Sequence, residues 1–194
     1  MKKSAVFIDR DGTLIVDAEY LSDPDKLELY EDSAKSLEKL NKAGILAILV
    51  TNQSGVARGY FDENTVHVLN KKLADELKNQ NAYLDAIYYC PHHKKGVVEE
   101  YIKECDCRKP KTGLIKQAVS DFKEIDLQKS YVIGDKASDI ELAKNAGCKS
   151  ILVKTGYGQQ VLNGSYQEYI EPDFVAENMK DAVDWILEDL LKKE

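Results

Sequence analysis

Five short apolar runs, separated by helical patterns, constrain the fold of this chain more than any other feature. They cover residues 5–8, 45–50, 86–89, 130–133 and 150–153. Several are nearly uninterrupted in Val, Ile, Leu and Ala, as in strands buried on both faces, where no alternation with polar residues survives. Between them, apolar residues recur at helical spacing. Asp32 is placed to cap a helix that presents Leu37 and Leu40 and stops near Gly44. Asp62 caps the next, with Val66, Leu69, Leu73 and Leu77 on one stripe and Phe61 placed to staple onto Val66. A third helix is expected over residues 113–122, burying Leu114, Ile115, Ala118 and Val119. A fourth starts near Ser138, presents Ile140 and Ala143, and stops at Gly147. The last spans 179–191, with Val183, Ile186, Leu187 and Leu190 inward. Strands alternating with helices throughout predict an α/β fold with a mostly parallel sheet covered on both faces.

The length suits one domain over residues 1–194, with an irregular insertion at about 90–110. Residues 156–169 read as a second loop, whose glycines and tyrosines leave its role open. A hydrophobic share of 43% supplies a core, and the net charge of −7 argues against nucleic acid or an anionic membrane as partner. No apolar run has the length of a membrane-spanning helix. Lys2 and Lys3 precede a short apolar stretch broken by Asp9, Arg10 and Asp11, which is not the pattern of a secretory signal. The expected location is a reducing cytoplasm. Cys148 stands apart from the other cysteines and is expected to be free and buried.

In a sheet of this kind ligands gather at the carboxyl ends of the strands. Asp9 and Asp11 follow the first run, Thr51 and Asn52 the second, and Gly134 and Asp135 the fourth. These polar groups are therefore expected to converge. One carboxylate of such a pair can act as a nucleophile and the other can shuttle a proton. Asp135 would complete a hard-oxygen site suited to magnesium.

A second cluster has different chemistry. Cys90-x-His92 and Cys105-x-Cys107 bracket the irregular segment and offer three sulfurs and one nitrogen, the set for a closed tetrahedral zinc site. His93 is an alternative to His92, but His92 repeats the one-residue spacing of the other pair. Four protein ligands leave no open position, so this zinc is expected to be structural and to fix the path into Arg108-Lys109-Pro110.

The run Asp9-Arg10-Asp11-Gly12-Thr13 resembles the first motif of the haloacid dehalogenase-like phosphohydrolases. Thr51-Asn52-Gln53 is similar to their second motif, Lys109 to the third, and Gly134-Asp135-Lys136 with Asp139 to the fourth. The resemblance implies a Rossmann-like sheet without a large cap domain and a magnesium-dependent phosphomonoester hydrolase. It implies that Asp9 becomes an aspartyl phosphate, and that Asp11 protonates the leaving alcohol and then activates water. Magnesium is then held by the Asp9 side chain, the Asp11 carbonyl and Asp135. Thr51 and Lys109 bind the non-bridging oxygens. Asp139 either orients Lys136, binds a metal-bound water, or is simply a first-turn helix carboxylate.

Cys-Pro-His-His at 90–93, Cys-Asp-Cys-Arg-Lys-Pro at 105–110 and Thr-Asn-Gln-Ser-Gly-Val-Ala-Arg-Gly at 51–59 sharpen the resemblance to heptose bisphosphate phosphatases. This family implies a sugar bisphosphate substrate in nucleotide-activated heptose synthesis and a monomer. Asn52, Arg108 and Lys136 are candidate substrate contacts, with the Arg108 guanidinium suited to a distal phosphate. Arg58 either gates the mouth or caps the next segment. Histidinol-phosphate phosphatases carry very similar motifs and are the rival within the fold. A zinc-stabilised nucleic-acid-binding module is the rival outside it, disfavoured by the acidic charge.

Overall fold

A computed structural model describes residues 2–166 and 169–192. Six strands, β1 (Ala5–Ile8), β2 (Leu46–Asn52), β3 (Ala86–Cys90), β4 (Tyr131–Gly134), β5 (Lys149–Val153) and β6 (Phe174–Ala176), form one parallel sheet. Their order is β3-β2-β1-β4-β5-β6. The chain winds outward from β1 in one direction and then from β4 in the other, so the crevice between the carboxyl ends of β1 and β4 is the switch point where such sheets bind ligands. Six α-helices cover the sheet: α1 (Ser33–Lys42), α2 (Glu63–Asn79), α3 (Gly113–Asp121), α4 (Ala137–Ala146), α5 (Gly158–Leu162) and α6 (Met179–Leu191).

The period-two geometry of the strands divides the core in two. On one face Val6, Ile8, Ala47 and Leu49 meet Leu37 and Leu40 of α1, Leu69, Leu73 and Leu77 of α2, and Val183 and Ile186 of α6. On the other, Phe7, Ile48 and Val132 meet Leu114, Ile115 and Ala118 of α3 and Leu142 and Ala143 of α4. All of β1 is buried, which explains its unbroken apolar sequence. Truncating a fully buried leucine such as Leu69 or Leu73 costs about 2–5 kcal/mol through lost transfer energy and the cavity left behind.

Several expectations are revised. Asp62 is extended (φ −93°, ψ 174°) and accepts the Thr65 N–H, as a cap should. Asp32 has helical torsions (φ −89°, ψ −8°), and its side chain makes no capping bond. The strand expected over 45–50 runs on through Thr51 and Asn52, which belong to β2 rather than follow it. Strand β6 and helix α5 were not expected; both are too short for their periodicity to register. Val119, Leu187, Leu190 and Cys148 are partly rather than fully buried. Residues 156–169 contain α5, and 167 and 168 lie outside the described residues. Among the described residues, no helix is long and apolar enough to cross a membrane.

Candidate active site

The carboxyl ends of β1, β2 and β4 meet at a cleft of about 570 Å³ lined by Asp9, Asp11, Thr51, Asn52, Lys109 and Lys136, with Arg108 and Arg58 also on its wall. Asp9 lies at its floor, joined to β4 by its own N–H to the Ile133 carbonyl at 2.9 Å. Its Oδ1 accepts the Arg10 N–H at 2.8 Å and faces the Lys109 ammonium at 2.8 Å. Burial alone would raise the Asp9 pKa; the Lys109 and Lys136 ammonium groups outweigh it and hold the carboxyl below its usual range. The group is thus an ionised carboxylate at neutral pH, with the chemistry an oxygen nucleophile needs.

Lys109 is buried and uses its whole ammonium: it meets Asp9 at 2.8 Å, Asp139 at 2.6 Å and the Val50 carbonyl at 3.0 Å. Burial disfavours its charge, but Asp139 and Asp9 together more than offset that and raise its pKa. Asp139 therefore serves Lys109 through one oxygen. Through the other it accepts the Lys136 N–H at 3.1 Å, closing the first turn of α4. Asn52 also serves Lys109: its Oδ1 accepts the Lys109 N–H at 3.0 Å and its Nδ2 donates to the Lys109 carbonyl at 3.2 Å. The amide expected to touch substrate is engaged at both ends in pinning this lysine.

Asp11 is held by residues that the sequence alone did not single out. The buried Arg10 guanidinium grips Asp11 Oδ1 through Nε at 3.2 Å and Nη2 at 3.1 Å. Gln53 Nε2 donates to Asp11 Oδ2 at 2.8 Å and to Thr51 Oγ1 at 3.0 Å, while Gln53 Oε1 accepts from Arg10 at 2.9 Å. Asn70 of α2 accepts from Arg10 at 3.1 Å. Arg10 lies inside the Asp-x-Asp motif and Gln53 beside Thr51, so adjacency was the signal available; Asn70 gave none, because its contact spans 60 positions.

Asp135 is buried under two glycines. A Cβ on Gly12 or on Gly156 would come within 2.2 Å of Asp135 Oδ2, and both have positive φ (84° and 54°). Only a residue without a side chain lets the backbone approach this closely in that conformation. Burial pushes the Asp135 pKa up to about 7, and Lys136 only partly opposes it. The Lys136 ammonium lies 3.1 Å and 3.3 Å from the two Asp135 oxygens and 3.4 Å from the Asp11 carbonyl. One cation thus reaches both groups, as a magnesium ion would have to. Oxygens of Asp9, Asp135 and Asp139 lie within 4.8 Å of one another. Hard carboxylate and carbonyl oxygens at this spacing, with Asp135 short of positive charge, fit magnesium.

The second cluster gathers Cys90, His92, Cys105 and Cys107. The sulfur separations are 3.0, 3.1 and 3.4 Å, far from a disulfide, and His92 Nδ1 lies 3.3 Å from Cys107 Sγ. Zinc–sulfur bonds of about 2.3 Å place tetrahedral ligands about 3.8 Å apart, so a slight opening accommodates the ion. His93 stands outside the cluster, with Nδ1 accepting from the Lys95 N–H and Nε2 3.5 Å from Arg58. Arg108, beside Cys107, donates to the His92 carbonyl at 3.2 Å. Glu63 of α2 braces the segment by accepting from Tyr89 at 2.9 Å and Tyr101 at 2.8 Å.

Comparison with known proteins agrees with this geometry. A HAD-hydrolase-like family model matches residues 106–182. D-glycero-D-manno-heptose-1,7-bisphosphate 7-phosphatase of Thermosynechococcus vestitus is 44% identical over 190 residues, covering 96% of each chain. D-glycero-beta-D-manno-heptose-1,7-bisphosphate 7-phosphatase of Escherichia coli K12 is 40% identical, covering 96% of this chain and 89% of its own. Among solved structures, D,D-heptose 1,7-bisphosphate phosphatase of B. bronchiseptica, complexed with magnesium and phosphate, superposes with a TM-score of 0.84 at 29% identity, covering 96% of this chain and 99% of its own. This chain belongs to the heptose-1,7-bisphosphate 7-phosphatase family of the HAD-like hydrolases.

Proposed function

We propose that this protein removes the 7-phosphate of D-glycero-D-manno-heptose 1,7-bisphosphate, leaving heptose 1-phosphate. One observation carries the reading: an ionised Asp9, fixed between the Arg10 N–H and the Lys109 ammonium, with Asp11 beside it at the switch point of the sheet. Family membership at 44% identity supports the choice of substrate over histidinol phosphate.

Asp9 attacks the phosphorus in line with the C7 oxygen. The P–O bond to the sugar breaks as the Asp9–phosphorus bond forms, and Asp11 gives its proton to the leaving alkoxide. Asp11 then takes a proton from water as that water attacks the aspartyl phosphate, releasing phosphate and restoring Asp9. Thr51, on the cleft wall, offers its hydroxyl to the charge that spreads over the non-bridging oxygens, and the Lys109 ammonium adds positive charge beside Asp9. Arg10 and Gln53 orient the Asp11 side chain beside Asp9. Asp9, Asp135 and the Asp11 carbonyl would hold magnesium, which would supply the positive charge that lets a carboxylate approach a phosphate dianion. Arg108 and Lys136 line the cleft and are the proposed contacts for the anionic remainder of the substrate, Arg108 with guanidinium donors beyond the one given to the His92 carbonyl and Lys136 from its pairing with Asp135.

Cys90, His92, Cys105 and Cys107 would hold zinc, which would stand in for a hydrophobic core in residues 90–110 and, with four protein ligands, leave no open position for chemistry. We read residues 1–194 as one domain, active as a monomer in the cytoplasm. Parallel assays of magnesium-dependent phosphate release from the heptose bisphosphate, in both anomers, and from histidinol phosphate test the reading. The bisphosphate should be the faster substrate by a wide margin; much higher activity on histidinol phosphate would overturn it.

A further inference from the structure

The charged groups of the cleft account for two phosphates, yet part of its wall is aromatic. On the β4–β5 side Tyr157 and Tyr166 stack at 4.1 Å with an interplanar angle of 18°. The Lys136 ammonium lies 5.0 Å from the Tyr157 ring centre. On the β2 side Tyr20 meets Tyr60 edge to face at 4.6 Å, and the Arg58 guanidinium lies 5.9 Å from the Tyr20 ring centre. Tyr20, Tyr157 and Tyr166 all line the cleft. Two tyrosine pairs, each carrying a cation, thus flank the carboxylates at the end of β1.

Both pairs are anchored in ways that ordinary surface tyrosines are not. The segment leading to Tyr157 is tied to the catalytic floor: Thr155 Oγ1 donates to the Gly12 carbonyl at 2.7 Å, and the Tyr157 N–H donates to Asp135 Oδ2 at 2.9 Å. Beyond α5 the chain turns back, with Ser165 donating to Asn163 Oδ1 and to the Gln160 carbonyl, and this return sets Tyr166 on Tyr157. Across the cleft, Glu19 and Tyr20 have consecutive positive φ values of 40° and 63°. Residues with a Cβ avoid that region, and such strain concentrates at ligand clamps. Even so, Tyr20 is left 45% exposed and Tyr166 41%, so neither position is explained by burial in the core.

We propose that Tyr20 and the Tyr157–Tyr166 stack form two aromatic jaws that grip the sugar between the two phosphates. A pyranose presents C–H groups on its faces, and these carry partial positive charge suited to the negative face of a phenol ring. The adjacent cations, Arg58 and Lys136, then sit where a sugar held in the jaws would place its anionic groups. This proposal rests on the substrate reading above. It assigns recognition of the carbohydrate portion to residues that make no contact with the reacting phosphorus.

The test is steady-state kinetics of Tyr166→Ala, Tyr20→Ala and the matching phenylalanine variants, on the heptose bisphosphate and on acetyl phosphate, which has no sugar. Each alanine variant should raise KM for the bisphosphate about tenfold, the value of one lost aromatic contact, with a much smaller change in kcat. Selectivity for the bisphosphate over acetyl phosphate should fall with it, and each phenylalanine variant should restore it, because the ring face and not the hydroxyl is required. Unchanged KM in the alanine variants would overturn the jaws, as would a parallel loss of kcat/KM on both substrates, which would mark a merely structural role. Wild-type enzyme that does not turn over the heptose bisphosphate would instead overturn the substrate reading, and the jaws with it.

Discussion

The two metal-competent clusters of this protein are built in opposite ways. The carboxylate cluster, Asp9, Asp135 and Asp139, is wholly buried and sits where β1 and β4 end and α4 begins, so the sheet and the helix that follows β4 fix its geometry. The cysteine–histidine cluster joins Cys90, the last residue of β3, to the segment before α3, whose only regular element is a short helical turn at Glu99–Tyr101. A metal at the first would sit in a frame already built by the sheet; a metal at the second would tie together a segment otherwise held by scattered loop hydrogen bonds, among them those of Glu63, Arg108 and Asn52. In the proposed function, chemistry falls to the first cluster and a bracing role to the second.

That contrast predicts its own largest effect. Asp9→Asn removes the nucleophile while keeping the side chain's size. Turnover should fall by a factor of about 10⁴ or more, while zinc content by metal analysis stays at the wild-type level. Loss of zinc together with activity would erase the division between the two sites.

Cys107→Ser attacks the other cluster. Its expected effect is smaller, a drop of about tenfold to a hundredfold in kcat/KM, because Arg108 and Lys109 follow Cys107 directly. Zinc should be lost and residues 90–110 should become sensitive to protease. A variant that loses zinc yet keeps a protected segment and full activity would show that the ion does not hold the loop.

Asn52→Ala sharpens the comparison from the boundary between the two. Asn52 is the last residue of β2, and it clasps the Lys109 backbone at the end of the cysteine–histidine segment. Losing both hydrogen bonds should cost about 1–3 kcal/mol in positioning and lower kcat by about tenfold, with KM nearly unchanged. A rise in KM alone would return Asn52 to the role of a substrate contact.

Much of this organisation was legible in the sequence because it is local. The unbroken run at β1 and the Asp-x-Asp after it belong to one stretch of chain, and the fold rule for parallel sheets places them at the switch point. The cysteine–histidine spacing is likewise local. That Lys109 neutralises the carboxylate cluster was legible from the motifs; its particular partner Asp139 was not, because a contact between residues far apart in the chain leaves no local signal. Nor was the grip of Arg10 and Gln53 on Asp11, which depends on side-chain direction at the end of β2. Asn52 was read as a substrate contact because an amide beside a catalytic threonine suits one; its commitment to Lys109 is set by a contact 57 positions away. Helix α5 and strand β6 span 5 and 3 residues, too few for a periodicity to declare itself.

The central claim is that Asp9, and no group of the cysteine–histidine cluster, carries the phosphoryl group during turnover. Rapid acid quench of wild-type enzyme during steady-state hydrolysis of the heptose bisphosphate, followed by peptide mapping by mass spectrometry, tests it directly. The account predicts a phosphoryl adduct on the peptide containing Asp9, absent in Asp9→Asn. An adduct on Cys90, Cys105, Cys107 or His92, or one that persists in Asp9→Asn, would contradict it.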